Sequence, residues 1–310
     1  MPSGRKKRVV ISCVTFETVK ITDPIAFYEA THVHLIWYTK DPERDDNVFT
    51  DFYKRVCEII HEWSPKVEIT SHNKEQVYKF TPMLRTVLSI IQNEKKESPD
   101  SDIYVNVSAG TSEYAAAAAI ASMMTDAIPF SVGTAENGYT IPSNAYYVDG
   151  KPVGLTNKAR EPYLMLHYPI DMPERHLVRA LRALEFRNAK NLPTTGTKMV
   201  ETLKKKGIWF RGEVNLEEEI VLDERQKKKL EIKRKTENKK KMEIEKKGVY
   251  VDRTDTVYYQ RDFIDKWLKE GWVQKNERNK YETTDVGKKI LEIFYVNDDP
   301  DMKIDKIQSR

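Results

Sequence analysis

Through the first half of the chain, short β-rich apolar runs alternate with stretches whose apolar residues recur every three or four positions. The runs Arg8-Val-Val-Ile-Ser-Cys-Val14, His32-Val-His-Leu-Ile-Trp-Tyr38, Lys66-Val-Glu-Ile-Thr70 and Ile103-Tyr-Val-Asn-Val-Ser108 predict four strands. Phe49, Phe52, Tyr53, Val56, Ile59, Ile60 and Trp63 mark a helix over 49–63. Met83, Leu84, Val87, Leu88 and Ile91 mark another, closed by the polar loop 94–102. A helix over 112–125 and strands at 128–132 and 145–148 complete the series. Strands alternating with helices at this pitch predict βαβ units, so the expected class is α/β: a Rossmann-like, mostly parallel sheet with helices on both faces.

The pattern changes after Pro152. Residues 153–172 are interrupted by proline and lack periodicity, which predicts a linker between a first domain at 1–152 and a second at 173–310. In the second domain, a helix opens at Pro173 with Leu177, Ala180, Leu181 and Leu184 on one face. A further helix over 195–206 carries Met199, Val200 and Leu203 and stops at Gly207. Thr256 to Lys269 reads as an amphipathic helix with Val257, Phe263, Ile264, Trp267 and Leu268 on its apolar side. A strand pair at 272–275 and 280–284, turning at Arg278-Asn279, precedes a last helix over 285–294. Helices, a hairpin and a helix in this order predict a winged helix-turn-helix, here with a Lys-rich insertion at about 213–250 that is a solvated helix, a hairpin or a basic arm.

Composition adds little to this picture except through its distribution. The 310 residues suit two domains, and a net charge of +4 is small, but Lys and Arg crowd 225–247 and suggest a polyanionic partner for the second half. No apolar run is long enough to cross a bilayer and no secretory signal is expected, so we read a soluble, cytoplasmic protein. Cys13 and Cys57 lack metal or redox spacing and read as buried thiols.

Candidate chemistry concentrates at Asn106-Val-Ser-Ala-Gly-Thr-Ser112, between a buried strand and a helix start. Gly110 permits a tight turn and close ligand approach. The free amides of the helix start, with Thr111 and Ser112 hydroxyls, suit phosphate or another anion. The same residues also suit a plain turn in which Thr111 or Ser112 merely caps the helix. Neither Gly-x-Gly-x-x-Gly nor a Gly-Lys-Ser/Thr P-loop is present, which excludes the common dinucleotide and nucleoside-triphosphate patterns.

The strand, Ser108-Ala109-Gly110-Thr111 turn and helix resemble the signature of CARF domains, the CRISPR-associated Rossmann-fold sensors. The order of elements from Arg8 to about Val148, followed by a winged helix, is similar to archaeal CARF regulators of transcription in antiviral defence. The resemblance implies a homodimer with a cyclic oligoadenylate on its two-fold axis. It implies ligand contacts from Asn106, Ser108, Ala109, Gly110, Thr111 and Ser112, and from Thr15, Phe16 and Glu17 after the first strand. Asn106 departs from it, standing where many members carry an acidic residue.

In a winged helix, the recognition helix enters the major groove of double-stranded DNA and the hairpin touches backbone. Thr254, Thr256, Tyr258, Tyr259, Gln260 and Arg261 are the expected readers, with Lys275, Arg278 and Lys280 on phosphates. Trp267 and Trp272 are expected in the core. The alternative is an effector or ring nuclease that cleaves RNA or its own cyclic ligand with the binding residues themselves. Arg160 and His167 have the spacing of HEPN ribonucleases but sit in the linker, and Glu231-Ile-Lys233 and Glu237-Asn-Lys239 arise in a biased segment. His32 and His34 share a strand face without a third zinc ligand. We therefore expect no catalytic residue, no metal and no cofactor beyond the cyclic effector.

Overall fold

The aliphatic runs of the first half extend as five parallel strands, β1 (Arg8–Cys13), β2 (His32–Ile36), β3 (Glu68–His72), β4 (Asp102–Asn106) and β5 (Ile128–Ser131). The computed structural model describes residues 6–39, 47–73, 76–139, 146–209 and 249–302. It divides into two units, Met1–Met172 and Pro173–Arg310. In the first, the sheet order is β3-β2-β1-β4-β5-β8, the last strand, β8 (Tyr163–Leu164), being antiparallel. This is a Rossmann-like sheet.

Side chains alternate across the pleat, so each strand feeds two cores. Val10, Val14, Val33 and Leu35 meet Ile21 and Ile25 of α1 (Val19–Phe27) and Phe52, Val56 and Ile60 of α2 (Val48–Trp63). The opposite face is covered by α3 (Phe80–Glu97) and α4 (Ser112–Met123), which lie against each other. Ala117, Ala118 and Ala121 of α4 are fully buried, and their small side chains allow that close approach. Helix α3 runs beyond its expected end because Glu94 faces inward, bonded to His34 and Lys7.

Three elements differ from the sequence expectation. Helix α1 was not anticipated: Thr18, Thr22, Asp23 and Pro24 look like a loop, yet Ile21 and Ile25, four apart, anchor it to the sheet. The strand expected at 145–148 is found at Tyr147–Val148, outside the parallel sheet: β6 (Tyr147–Val148) pairs with β7 (Lys151–Pro152) across Asp149 and Gly150, both at positive φ. The segment expected as a linker belongs to the first unit. Within it β8 (Tyr163–Leu164) pairs with β5, and Gly154, Thr156 and Ala159 bridge to Glu17, Tyr139 and Thr134. These pairings depend on distant partners, so no local pattern announces them.

In the second unit, α5 (Arg175–Ala189) and α6 (Gly196–Lys205) precede α7 (Arg253–Tyr259). A π-turn (Gln260–Ile264) joins α7 to α8 (Asp265–Lys269). The hairpin β9 (Val273–Lys275) and β10 (Tyr281–Thr283) and helix α9 (Asp285–Ile293) follow. Gly207 stops α6 at positive φ, as expected. Asp252 and Asp255 form a capping box at the start of α7. Arg175 and Arg179 make two-pronged pairs with Asp298 and Asp299, and buried Arg182 donates to the Leu291 and Phe294 carbonyls, securing the last turn of α9. Trp267 and Trp272 are buried, as anticipated.

Candidate functional site

Strand β1 lies between β2 and β4, and the chain leaves β1 toward one face of the sheet and β4 toward the other. Such a switch point opens a crevice at the carboxyl ends of the two strands. The topology therefore brings the two expected contact regions, 15–17 and 108–112, to one place.

The β4 turn is held by its own side chains. Asn106, fully buried, accepts from the Ser108 N–H (3.0 Å) and hydroxyl (2.7 Å). Its Nδ2 donates to the Lys20 carbonyl at 2.8 Å. That carbonyl would ordinarily accept from the residue four positions on in α1, but this is Pro24, which has no N–H. Asn106 supplies the missing donor. Ser108 Oγ also accepts from the Val132 N–H at 2.9 Å, tying the turn to the chain after β5. Thr111 is the N-cap of α4: its Oγ1 accepts from the Tyr114 N–H and donates to the Val77 carbonyl. The capping role considered from sequence is therefore the one Thr111 fills.

Gly110 has φ +102°. A Cβ there would lie 2.7 Å from Cys13 Cβ and 2.8 Å from the Tyr114 ring, so only glycine fits. The Cys13 thiol receives the Thr111 N–H, and burial pushes its pKa up to about 12, which leaves it unreactive. Ala109 is buried and offers the crevice only its main chain. What the turn presents outward is the start of α4. The Ser112 and Glu113 N–H groups precede the first helical acceptor pair, Ala115 N–H to Thr111 carbonyl. Ser112 is exposed, and hydrogen bonds from the Glu113 N–H and the Ser112 hydroxyl hold the Glu113 carboxyl below its ordinary pKa. A carboxylate thus already occupies the anion-favouring position.

Across the crevice, Phe16 is packed rather than presented, with Phe49 and Tyr146 ring centroids at 5.0 and 4.7 Å. Glu17 accepts from the Thr156 N–H (3.2 Å) and hydroxyl (3.1 Å), with Lys20 Nζ at 3.6 Å. Desolvation raises the Glu17 pKa while Lys20 opposes the shift. Thr15 is half-buried beside them. Two neighbours were missed from sequence: Lys20, on the unanticipated α1, and Val77, whose carbonyl is bonded to the turn.

In the second unit, Thr254, Gln260 and Arg261 are exposed and Thr256 and Tyr258 partly so. Arg261 pairs with Asp262 at 2.7 Å and lies over the Tyr258 ring; Gln260 donates to Asp265. Tyr259 corrects the expectation. It is 4% exposed, packed on Phe263 and Trp267, and belongs to the core. Val257 and Leu268, expected inside, are 59% and 41% exposed, because the π-turn shifts the phase of the buried stripe. Lys275, Arg278 and Lys280 are exposed on the hairpin, whose turn is shaped by Asn276 Oδ1 accepting from the Arg278 and Lys280 N–H groups. The Lys-rich segment 217–247, with both Glu-x-Lys triplets, lies outside the described residues.

The histidines singled out from the sequence are each engaged in local hydrogen bonds. His167 Nε2 faces two carbonyls, Ser122 at 3.0 Å and Thr125 at 2.9 Å, so it carries the hydrogen and donates. His32 bonds Thr31 and Glu68. His34 sits between His72 and Glu94 at 3.0 Å from each. Among the described residues, no group of three or more His, Cys, Asp or Glu could hold a metal ion. Among the same residues, no helix is long and apolar enough to cross a membrane.

A family model described as "HFX_2341_N:-like, N-terminal" matches residues 8–137. No curated protein matches the sequence. Among solved structures, the chain is similar to Enterococcus italicus Csm6 bound to cyclic hexa-2'-fluoro-hexa-dAMP, at 12% identity and TM-score 0.38, covering 66% of this chain and 53% of that one. It is also similar to protein VC1899 from Vibrio cholerae (10% identity, TM-score 0.33, covering 93% and 64%). A third is Can2 from Sulfobacillus thermosulfidooxidans in complex with cyclic tetra-adenylate (13% identity, TM-score 0.30, covering 92% and 63%). The chain thus spans 53% to 64% of the length of these structures.

Proposed function

We propose that the protein is a ligand-responsive regulator of CARF type, in which the first unit senses a cyclic oligoadenylate and the second, a winged helix-turn-helix, binds double-stranded DNA. The observation that carries this reading is the convergence of the β1 loop and the β4 turn at the switch point of the sheet. There, the first-turn N–H groups of α4, the Ser112 hydroxyl and Lys20 offer positive potential to a phosphate. The side chains of Asn106, Ser108, Thr111 and Glu17 shape the crevice, and the ligand meets mainly backbone. A phosphate displaces the Glu113 carboxylate from the start of α4. Two copies sharing one ring on a two-fold axis give each subunit the same contacts.

Calorimetry of the full chain with cyclic tri-, tetra- and hexa-adenylate tests the sensor. Binding by one ring size at one ring per two chains is expected; no binding by any ring overturns it. Duplex retention tests the second unit. Replacing Lys275, Arg278 and Lys280 together by alanine is expected to weaken retention and reduce its salt dependence, and unchanged retention overturns the DNA role. Recovery of linear products from a labelled ring would instead point to the ring nuclease.

A further inference from the structure

The sensor reading accounts for phosphates but leaves the bases of the ring without partners. Bases held outside a helix stack on aromatic side chains whose faces are open. At the carboxyl edge of the sheet, Phe16 is closed off by Phe49, Phe52 and Tyr146. Tyr78 is different. It is 49% exposed, and it follows Val77, whose carbonyl accepts the Thr111 hydroxyl of the α4 turn. The backbone that carries Tyr78 is therefore bonded to the residue that caps the anion-favouring helix.

Tyr38 braces it. The chains leaving β2 and β3 continue side by side, Trp37 N–H to the His72 carbonyl at 2.9 Å and Thr39 N–H to the Asn73 carbonyl at 3.1 Å. They bring the Tyr38 ring edge-on to Tyr78, with centroids 5.5 Å apart and planes at 86°. An edge-to-face contact covers at most one face of either ring and leaves the other face of Tyr78 to its surroundings. Phe80, 37% exposed at the start of α3, extends the apolar surface. Aromatic surface left in water beside a polar turn is available to a ligand.

We propose that Tyr78, braced by Tyr38, is the nucleobase platform of the site, stacking one base of a nucleotide whose phosphate lies at the start of α4. This rests on the nucleotide reading above and adds the residue that distinguishes a nucleotide from a simple anion.

The test is titration of the full chain and its Tyr78→Ala and Tyr78→Phe variants with the ring that wild type binds. Stacking is worth about 1–3 kcal/mol per base, so Tyr78→Ala should weaken binding by roughly 5- to 150-fold while Tyr78→Phe stays near wild type. Equal binding by Tyr78→Ala and wild type overturns the platform and leaves the sensor reading standing. If wild type binds no ring, the sensor reading falls, and adenosine 5′-monophosphate against ribose 5-phosphate decides the platform. A preference for the nucleotide that Tyr78→Ala loses supports it, and no such preference overturns it. Melting of each variant is measured alongside, and Tyr78→Phe, which keeps the ring against Tyr38, is the control for a merely structural effect.

Discussion

Replacing Asn106 by aspartate tests how the β4 turn is built. The substitution keeps Oδ1 for the Ser108 N–H and hydroxyl but puts an oxygen where Nδ2 donates to the Lys20 carbonyl at 2.8 Å. A buried carbonyl left without a donor costs about 1–3 kcal/mol, and an opposing carboxylate oxygen adds to that. We expect Asn106→Asp to destabilise the first unit by about 2–4 kcal/mol. The second half of the experiment is Pro24→Ala, which restores an N–H four residues beyond Lys20. In the Asn106→Asp background that N–H satisfies the orphaned carbonyl, so the two changes together should cost about 1–2 kcal/mol less than their sum. Tryptophan fluorescence would mix the units, since Trp37 and Trp63 lie in one and Trp209, Trp267 and Trp272 in the other. Native-state hydrogen exchange of the β4 amides isolates the first unit. Lowering the pH far enough to protonate the new acid returns a donor and should narrow the deficit. Additivity of the two substitutions within about 0.5 kcal/mol would refute the account of Asn106 as the replacement for the proline's missing hydrogen bond.

Three further outcomes follow from the same structure. Gly110→Ala should cost about 2–5 kcal/mol, combining backbone strain with overlap on Cys13 and Tyr114, while Gly150→Ala, at φ +75° with nothing within 4 Å, should cost only the strain; hydrogen exchange at β4 and at β6 compares them. Desolvation lowers the pKa of His34 and, with repulsion from His34, that of His72 to about 4 from 6.5. His72 therefore stays uncharged in the fold at pH values where the unfolded ring is protonated, so its contribution is full above pH 6.5 and falls as the pH drops toward 4; His72→Gln should flatten that part of a melting profile. Tyr259→Ala should cost about 3–5 kcal/mol of second-unit stability, read by exchange at α8, whereas Lys275→Ala should leave stability unchanged and alter only DNA retention.

The alternation of aliphatic runs with helical stretches was enough to anticipate β1 to β5 and α2 to α4, because all but the edge strand β3 bury apolar residues of their own. Helix α1 escaped because its sequence spends three of nine positions on Thr22, Asp23 and Pro24, and its stability comes from Ile21, Ile25 and a hydrogen bond contributed 86 residues away. The turn at 108–112 was recognisable from Gly110 and its place after a buried strand. The roles of its side chains were not. A serine, threonine or asparagine has the same local pattern whether it faces a ligand or a neighbour's carbonyl.

Local pattern was therefore sufficient for the strands, their helices, the stop at Gly207 and the position of the glycine turn, since each depends on residues a few positions apart. Folding decided the rest. The order β3-β2-β1-β4-β5-β8 brings residues 15–17 and 108–112 together, and the π-turn turns Tyr259 into the core while Val257 faces water. It also commits Asn106, Ser108, Thr111 and Glu17 to internal hydrogen bonds. A side chain held by partners far along the chain has its direction fixed by them, and only the three-dimensional partners reveal which side chains those are.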